Sequence, residues 1–166
     1  MARVAVTGVS KKTSLSSLLE HSVARGAFDG YMVREDQLVR IVGAAIRVYP
    51  SLPFRFKLVM GDEAARLRSC NEGVVKASAY IVVVPSDDAE PCRVLFGRVV
   101  QSMLLQAAEM GLCGTFVSDA ILSAVNEVLA LPLQPLMLLA IGRCAEPSLS
   151  FDAMPCDVRA EDFIMK

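Results

Sequence analysis

The stretch Gly97 to Val117, GRVVQSMLLQAAEMGLCGTFV, constrains the fold most. Val99, Val100, Met103, Leu104, Ala107, Ala108 and Met110 cover most of a helical circumference, while Arg98, Ser102, Gln106 and Glu109 leave one narrow polar seam. A helix with so little polar surface is central, and the other elements must pack around it. Gly111 stands where a helix can end in a left-handed conformation that needs no Cβ. Cys113-Gly114-Thr115-Phe116-Val117 then reads as a short buried strand.

The flanking chain supplies what can cover that helix. Arg34 to Tyr49 places Leu38, Val39, Ile41, Val42, Ala45 and Ile46 at helical spacing, with Glu35 and Asp36 near the positive end, and Pro50 and Pro53 stop it. Phe54 to Met60 alternates Phe54, Phe56, Leu58 and Met60 against Arg55, Lys57 and Val59, as a half-covered strand does. Asp62 to Arg68 reads as a short surface helix. Ala79-Tyr80-Ile81-Val82-Val83-Val84 is a β-branched run ending at Pro85, which predicts a strand buried on both faces. After the central unit, Ser118 can cap a helix through Ile121, Leu122, Val125, Val128 and Leu129. Leu136 to Gly142 predicts a last buried strand.

At the start of the chain, Val4 and Val6 alternate as in a strand. Neither G-x-G-x-x-G nor a Walker sequence follows Gly8, so Gly8 to Lys12 reads as an ordinary turn. Arg3, Lys11, Lys12 and several serines without an acid in the first nineteen residues are weakly reminiscent of a transit peptide; the strand is the preferred reading. Thr13 or Ser14 can cap a short helix through Leu15, Leu18 and Leu19.

The 166 residues make one domain, residues 1–166, large enough to bury a core. Hydrophobic residues make up 54% and charged ones 21%, more apolar matter than a small monomer hides, which predicts an oligomer. A formal net charge of −1 gives no reason to expect nucleic acid or an anionic membrane as partner, and no apolar run reaches the length of a membrane span. The five cysteines are odd in number and include no C-x-x-C pair, and His21 is the one histidine. Neither a zinc site nor a disulfide framework is expected, and reduced thiols in the cytoplasm fit best. Cys113 reads as a small hydrophobe with no group to activate it, and the eight methionines as core or interface filler.

The helix ending A-A-x-x-G-L-x-G-x-aromatic-aliphatic at Ala107 to Val117 resembles the central helix and following turn of the nitroreductase-like flavoprotein family. Further along the same pattern, Ala44-Ala45, Pro50-Ser51 and Pro53-Phe54-Arg55-Phe56 are similar to the family's A-A-x-x-x-P-S and P-W-x-F passages. Only Leu52 lies between Ser51 and Pro53, so the Asn and Gln that approach the flavin in the family have no counterpart. Glu20 to Asp29 is similar to the family's R-R/H-S-x-R/K-x-F phosphate segment, with His21, Ser22, Phe28 and Asp29 in register once extra residues are allowed, Glu20 where a basic residue is usual, and Arg25 as the cation. The same residues also read as a helix-end hydroxyl at Ser22 flanked by a solvated His21 and Arg25. Val158 to Phe163 resembles the terminal element whose arginine reaches the phosphate, the place of Arg159. Ser86 to Pro91 leads directly into the central helix, where family members commonly carry a lid.

The resemblance implies an α+β sandwich, a mixed, mainly antiparallel sheet flanked by helices, dimerising through the long central helix; pattern alone allows a parallel α/β sheet equally. It implies FMN as cofactor, held by His21, Ser22, Arg25, Pro50, Ser51 and Arg159 and edged by backbone groups of Leu112, Cys113 and Gly114. The implied activity is NAD(P)H oxidoreduction of a nitroaromatic or quinone-like acceptor, a reaction in which the flavin carries the hydride and no side-chain acid or base is required. The alternative is a protein of the same fold that binds flavin or another ligand without turnover.

Overall fold

The computed structural model describes residues 27–49, 51–86, 93–117 and 121–145. The expected first strand, the turn at Gly8, the helix through Leu19 and the terminal element at Arg159 lie outside these residues. The described elements follow in the order α1 (Glu35–Val48), β1 (Phe54–Val59), α2 (Gly61–Cys70), β2 (Ala79–Pro85), α3 (Arg93–Glu109), β3 (Cys113–Phe116), α4 (Leu122–Leu129) and β4 (Met137–Gly142).

The four strands form one sheet in the order β1-β2-β4-β3, and every pair is antiparallel. Among the described strands neither the parallel arrangement that the hydrophobic pattern also permits nor the expected mixed character is found; the sheet they form is antiparallel throughout. Register is read from opposed residues: Leu58 faces Ile81, Ile81 faces Leu139, and Gly114 faces Ile141. β2 and β4 occupy the middle, which is why their residues run apolar without alternation and are buried at nearly every position.

Side-chain alternation divides these strands between two cores. Ala79, Ile81, Val83, Leu139 and Ile141 face α1 and α3, meeting Leu38, Ile41 and Ala45 from α1 and Val99, Met103, Leu104 and Ala107 from α3. Tyr80, Val82, Val84, Leu138 and Ala140 face the opposite way, toward Ala64 and Leu67 of α2 and Val125 and Leu129 of α4. The molecule is thus three layers, helix pair, sheet, helix pair. α3 is packed by the sheet on one side and by α1 on another, as its nearly unbroken apolar surface requires.

Local signals set the element ends. Glu35 and Asp36 lie in the first turn of α1, where the helix dipole favours acids, and Gln37 reaches back to accept the Arg34 N–H at 3.0 Å. α3 ends in a Schellman arrangement: the Leu112 N–H donates to the Ala107 carbonyl at 2.9 Å and the Gly111 N–H to the Ala108 carbonyl at 3.0 Å. Gly111 has φ +72°, the left-handed conformation expected of it. α4 ends in the same conformation, but on an alanine, Ala130, at φ 48°.

Candidate functional site

Of the residues that the family resemblance assigns to the cofactor, Ser51, Leu112, Cys113 and Gly114 lie among the described residues; His21, Ser22, Arg25, Pro50 and Arg159 do not. The sheet register separates the first from the other three. Ser51 precedes β1, whose first residue Phe54 faces the last residue of β2, Pro85. Cys113 begins β3 and faces Gly142 at the close of β4. One group sits at each end of the sheet, and strands of six residues span roughly 20 Å. A single flavin can touch both only if the two groups come from different copies of the chain.

The turn from Met110 to Gly114 is shaped by packing first. Leu112 and Cys113 are buried, and Leu112 belongs to the core between α3 and the sheet. A Cβ on Gly114 would fall 2.6 Å from Leu104 Cδ2, 3.2 Å from Ile141 Cδ1 and 3.3 Å from Leu139 Cδ1. Glycine is required there because α3 lies against β3, a demand internal to the chain. The backbone of the same residue is open. β3 is an edge strand, and Val117 donates its N–H to Leu138 at 3.0 Å, so alternation turns the N–H and C=O of Gly114 away from β4. No described strand pairs with that edge, and exposed Gly111 has open space around its α-carbon. Donor and acceptor groups facing outward from a small-residue strand are what the rim of a planar heteroaromatic ring needs, so the residues present fit a flavin edge at this point.

Beyond the β3–β4 ladder, residues 27–29 run against residues 143–145. Phe28 pairs with Cys144, the Asp29 N–H donates to the Arg143 carbonyl at 2.9 Å, and the Ala145 N–H donates to the Ala27 carbonyl at 3.0 Å. The Phe28 ring occupies the space in which a Cβ on Gly142 would sit, 2.5 Å from Phe28 Cδ1. Asp29 accepts from the Tyr31 N–H at 2.8 Å and pairs with Arg143, whose guanidinium also lies 4.8 Å from the centre of the Tyr31 ring. The Tyr31 N–H and then the Arg143 guanidinium hold the Asp29 carboxyl below its ordinary value. Phe28 and Asp29, placed in the phosphate segment by resemblance, are therefore engaged with the end of β4.

The expectation of reduced, unpaired cysteines is corrected at this end of the sheet: Cys113 and Cys144 are joined by a disulfide, with Cα atoms 6.5 Å apart. The residues are separated by 31 positions, so no C-x-x-C spacing marks them. Topology brings them together, because the first residue of β3 lies beside the last residue of its antiparallel neighbour and Cys144 is two residues farther on. A usable signal was present in the sequence. Two consecutive strands, one beginning in cysteine and the other ending two residues before a cysteine, bring the pair together when they are antiparallel in this register, although β3 is buried only over its first half. Cys70 is a free thiol, raised above its ordinary value by burial.

Among the described residues no three His, Cys, Asp or Glu side chains are grouped to hold a metal, and no helix is long and apolar enough to cross a membrane.

The architecture has solved counterparts. A nitroreductase family protein from Clostridium difficile 630 is 19% identical, with 92% of this chain and 97% of that chain covered and a TM-score of 0.74. A nitroreductase-like family protein from Bacillus cereus is 15% identical over 100% of this chain and 98% of its own, with a TM-score of 0.71. An FMN-dependent nitroreductase from Clostridium difficile R20291 is 18% identical over 85% of this chain and 94% of its own, with a TM-score of 0.66. No protein-family model matches the sequence, and no curated protein matches it. The chain has a nitroreductase-like fold, as the resemblance at Ala107 to Val117 implied.

Proposed function

We propose that the protein is an FMN-dependent NAD(P)H oxidoreductase of nitroreductase type, acting as a homodimer on nitroaromatic or quinone-like acceptors. The observation that carries this reading is the match of the whole architecture to nitroreductase-family structures, together with the open, glycine-containing edge of β3 after the central helix. Bound FMN would supply two-electron hydride chemistry between NAD(P)H and the acceptor. The chain's part would be to present the Gly114 backbone to the ring edge and to hold the turn at Gly111 and Leu112 fixed by the Schellman bonds. His21, Ser22, Arg25 and Arg159 would take the phosphate, and Pro50 and Ser51 would come from the second copy. The cytoplasm is the compartment we assign.

The dimer is supported by two features. Ser51 and Gly114 cannot meet one ligand within a single chain, and α1 exposes apolar side chains: Val39 is 54% and Ile46 47% exposed. α3 keeps Val94 exposed at 73% near its start and leaves Leu105 only partly buried beside α1, so the proposed seam includes α1 as well as the central helix. The second reading, flavin binding without turnover, is favoured by Leu52 standing alone between Ser51 and Pro53.

The test is the absorbance spectrum after FMN is added and the unbound excess removed. Retained flavin bands that Arg25→Ala or Arg159→Ala weakens support the cofactor, and NAD(P)H oxidation by the yellow protein then separates the enzyme from the passive binder. A colourless protein overturns both. A monomeric mass at micromolar concentration removes the two-copy site.

A further inference from the structure

The disulfide lies at the same end of the sheet as the proposed flavin edge, yet nothing in the oxidoreductase reading uses it. Its two sulfurs are unequal. Cys113 is the first residue of β3 and 3% exposed, whereas Cys144 lies beyond the last residue of β4 and is partly exposed. The backbone around them is held by hydrogen bonds as well as by the disulfide. Cys113 is already fixed opposite Gly142 by the β3–β4 ladder, and Cys144 is fixed opposite Phe28, with bonds on either side from Asp29 to Arg143 and from Ala145 to Ala27. The reduced state is provided for as well, since Cys113 Sγ lies 3.6 Å from the Gly142 carbonyl oxygen, within reach for a thiol to donate. A pair whose strands are also held by backbone bonds, with one cysteine buried and the other partly exposed, is placed for exchange.

We propose that Cys144 and Cys113 form a thiol-exchange site for low-molecular-weight thiols and disulfides, with Cys144 the sulfur that the external molecule enters and Cys113 the resolving sulfur. In the oxidising direction the Cys144 thiolate, having lost its proton to solvent, attacks one sulfur of a small disulfide. A bond forms between Cys144 and that sulfur, and the first small thiolate leaves. The Cys113 thiolate then attacks Cys144 Sγ, closing the protein disulfide and releasing the second small thiolate. Two protein thiols are oxidised and one small disulfide is reduced to two thiols, so the electrons balance. In the reducing direction a small thiolate attacks Cys144 Sγ and Cys113 departs. A second small thiol then releases the first from Cys144 as the small disulfide. Burial assigns the roles, because Cys113 is buried and Cys144 is the more exposed of the two. When closed, the bond fastens the α3–β3 turn to the chain leaving β4, so the redox state of the thiol pool is read at the turn where the flavin edge is placed. In the cytoplasm, where persistent structural disulfides are rare, a bond that forms and exchanges is the expected kind.

The site stands apart from the flavin reading because its test reads sulfur alone. The full chain is equilibrated with mixtures of reduced and oxidised glutathione, quenched with acid, alkylated and mapped by peptide mass. The wild type is expected to pass reversibly between a Cys113–Cys144 cross-link and two alkylated thiols. Cys113→Ser is expected to accumulate one glutathione on the Cys144 peptide, since the resolving sulfur is gone. Cys144→Ser is expected to leave Cys113 free of glutathione, and Cys70→Ser to behave as the wild type. Glutathione on Cys113 with Cys144 absent would overturn the assignment of roles. A wild type whose two thiols stay alkylatable throughout the oxidising range, or whose cross-link resists reduced glutathione without denaturant, overturns the site, and neither result bears on flavin binding.

Discussion

Gly114 joins two demands at one α-carbon. Its missing side chain admits Leu104 of α3, and its backbone faces the free edge of β3. Gly114→Ala would drive Leu104 off its position against Ile141 and Leu139, and overpacking of this kind typically costs about 1–3 kcal/mol. Urea unfolding should show that loss; a midpoint equal to the wild type would mean that Leu104 rotates away freely and that packing does not explain the glycine. Asp29 gives a prediction in pH. Its carboxyl titrates below the ordinary 3.8, so the contribution of its contacts is complete above that value and is lost as pH falls through the lower folded midpoint. Arg143→Ala should move the Asp29 midpoint, followed by NMR, upward but not fully to 3.8, because the Tyr31 N–H, the larger influence, remains. At this scale the sequence is least informative. Phe28 and Asp29 look like phosphate-segment residues by position, and only the pairing of 27–29 with 143–145 shows them occupied elsewhere. The strand pattern on either side offers a signal for Cys113 and Cys144, but it becomes a pairing only once the antiparallel order of β3 and β4 is known.

At the scale of elements the chain is far more legible. The Gly97 to Val117 stretch carries its own instructions, with an apolar helix, a glycine to end it and a short strand, and the structure has α3, the left-handed Gly111 and β3 in those places. The buried runs at Ala79 and Leu136 become the two middle strands, since lack of alternation marks cover on both faces. What the pattern leaves open is direction, because parallel and antiparallel middle strands are equally apolar; the register decides it. α4 shows a local rule set aside, its end being left-handed on Ala130 where glycine is the easy residue. Ala130→Gly should relieve the contact between Cβ and the backbone and raise stability by roughly 0.5–1 kcal/mol, the usual difference between these residues in that conformation. A thermal melt checks it. A lower midpoint would mean that the alanine methyl contributes packing that outweighs the strain.

For the whole molecule, the disulfide closes a long loop through β3, α4 and β4. Chain-entropy reasoning gives a closure of that length about 3–4 kcal/mol against the unfolded state. Reduction should therefore lower the melting temperature by roughly 6–16 °C while leaving the native circular dichroism unchanged at room temperature. Loss of the native spectrum on reduction alone would show that the ladder and the 27–29 pairing do not hold that end of the sheet unaided. The apolar excess legible in the composition reappears as Val39, Ile46 and Val94 at the surface, and the partner we propose for it is a second copy of the chain.

The strand order has a consequence for how the protein is made. β4 is the last described strand to be synthesised and it lies between β2 and β3, both of which leave the ribosome earlier. Until it arrives, the nascent chain holds the antiparallel β1–β2 pair, connected through α2, and an unattached β3, each with an edge that β4 has yet to pair. Completion is an insertion into a waiting gap. Ribosome-bound chains stopped before Met137 should be the ones that chaperones grip, and those stopped well after Gly142 should be released.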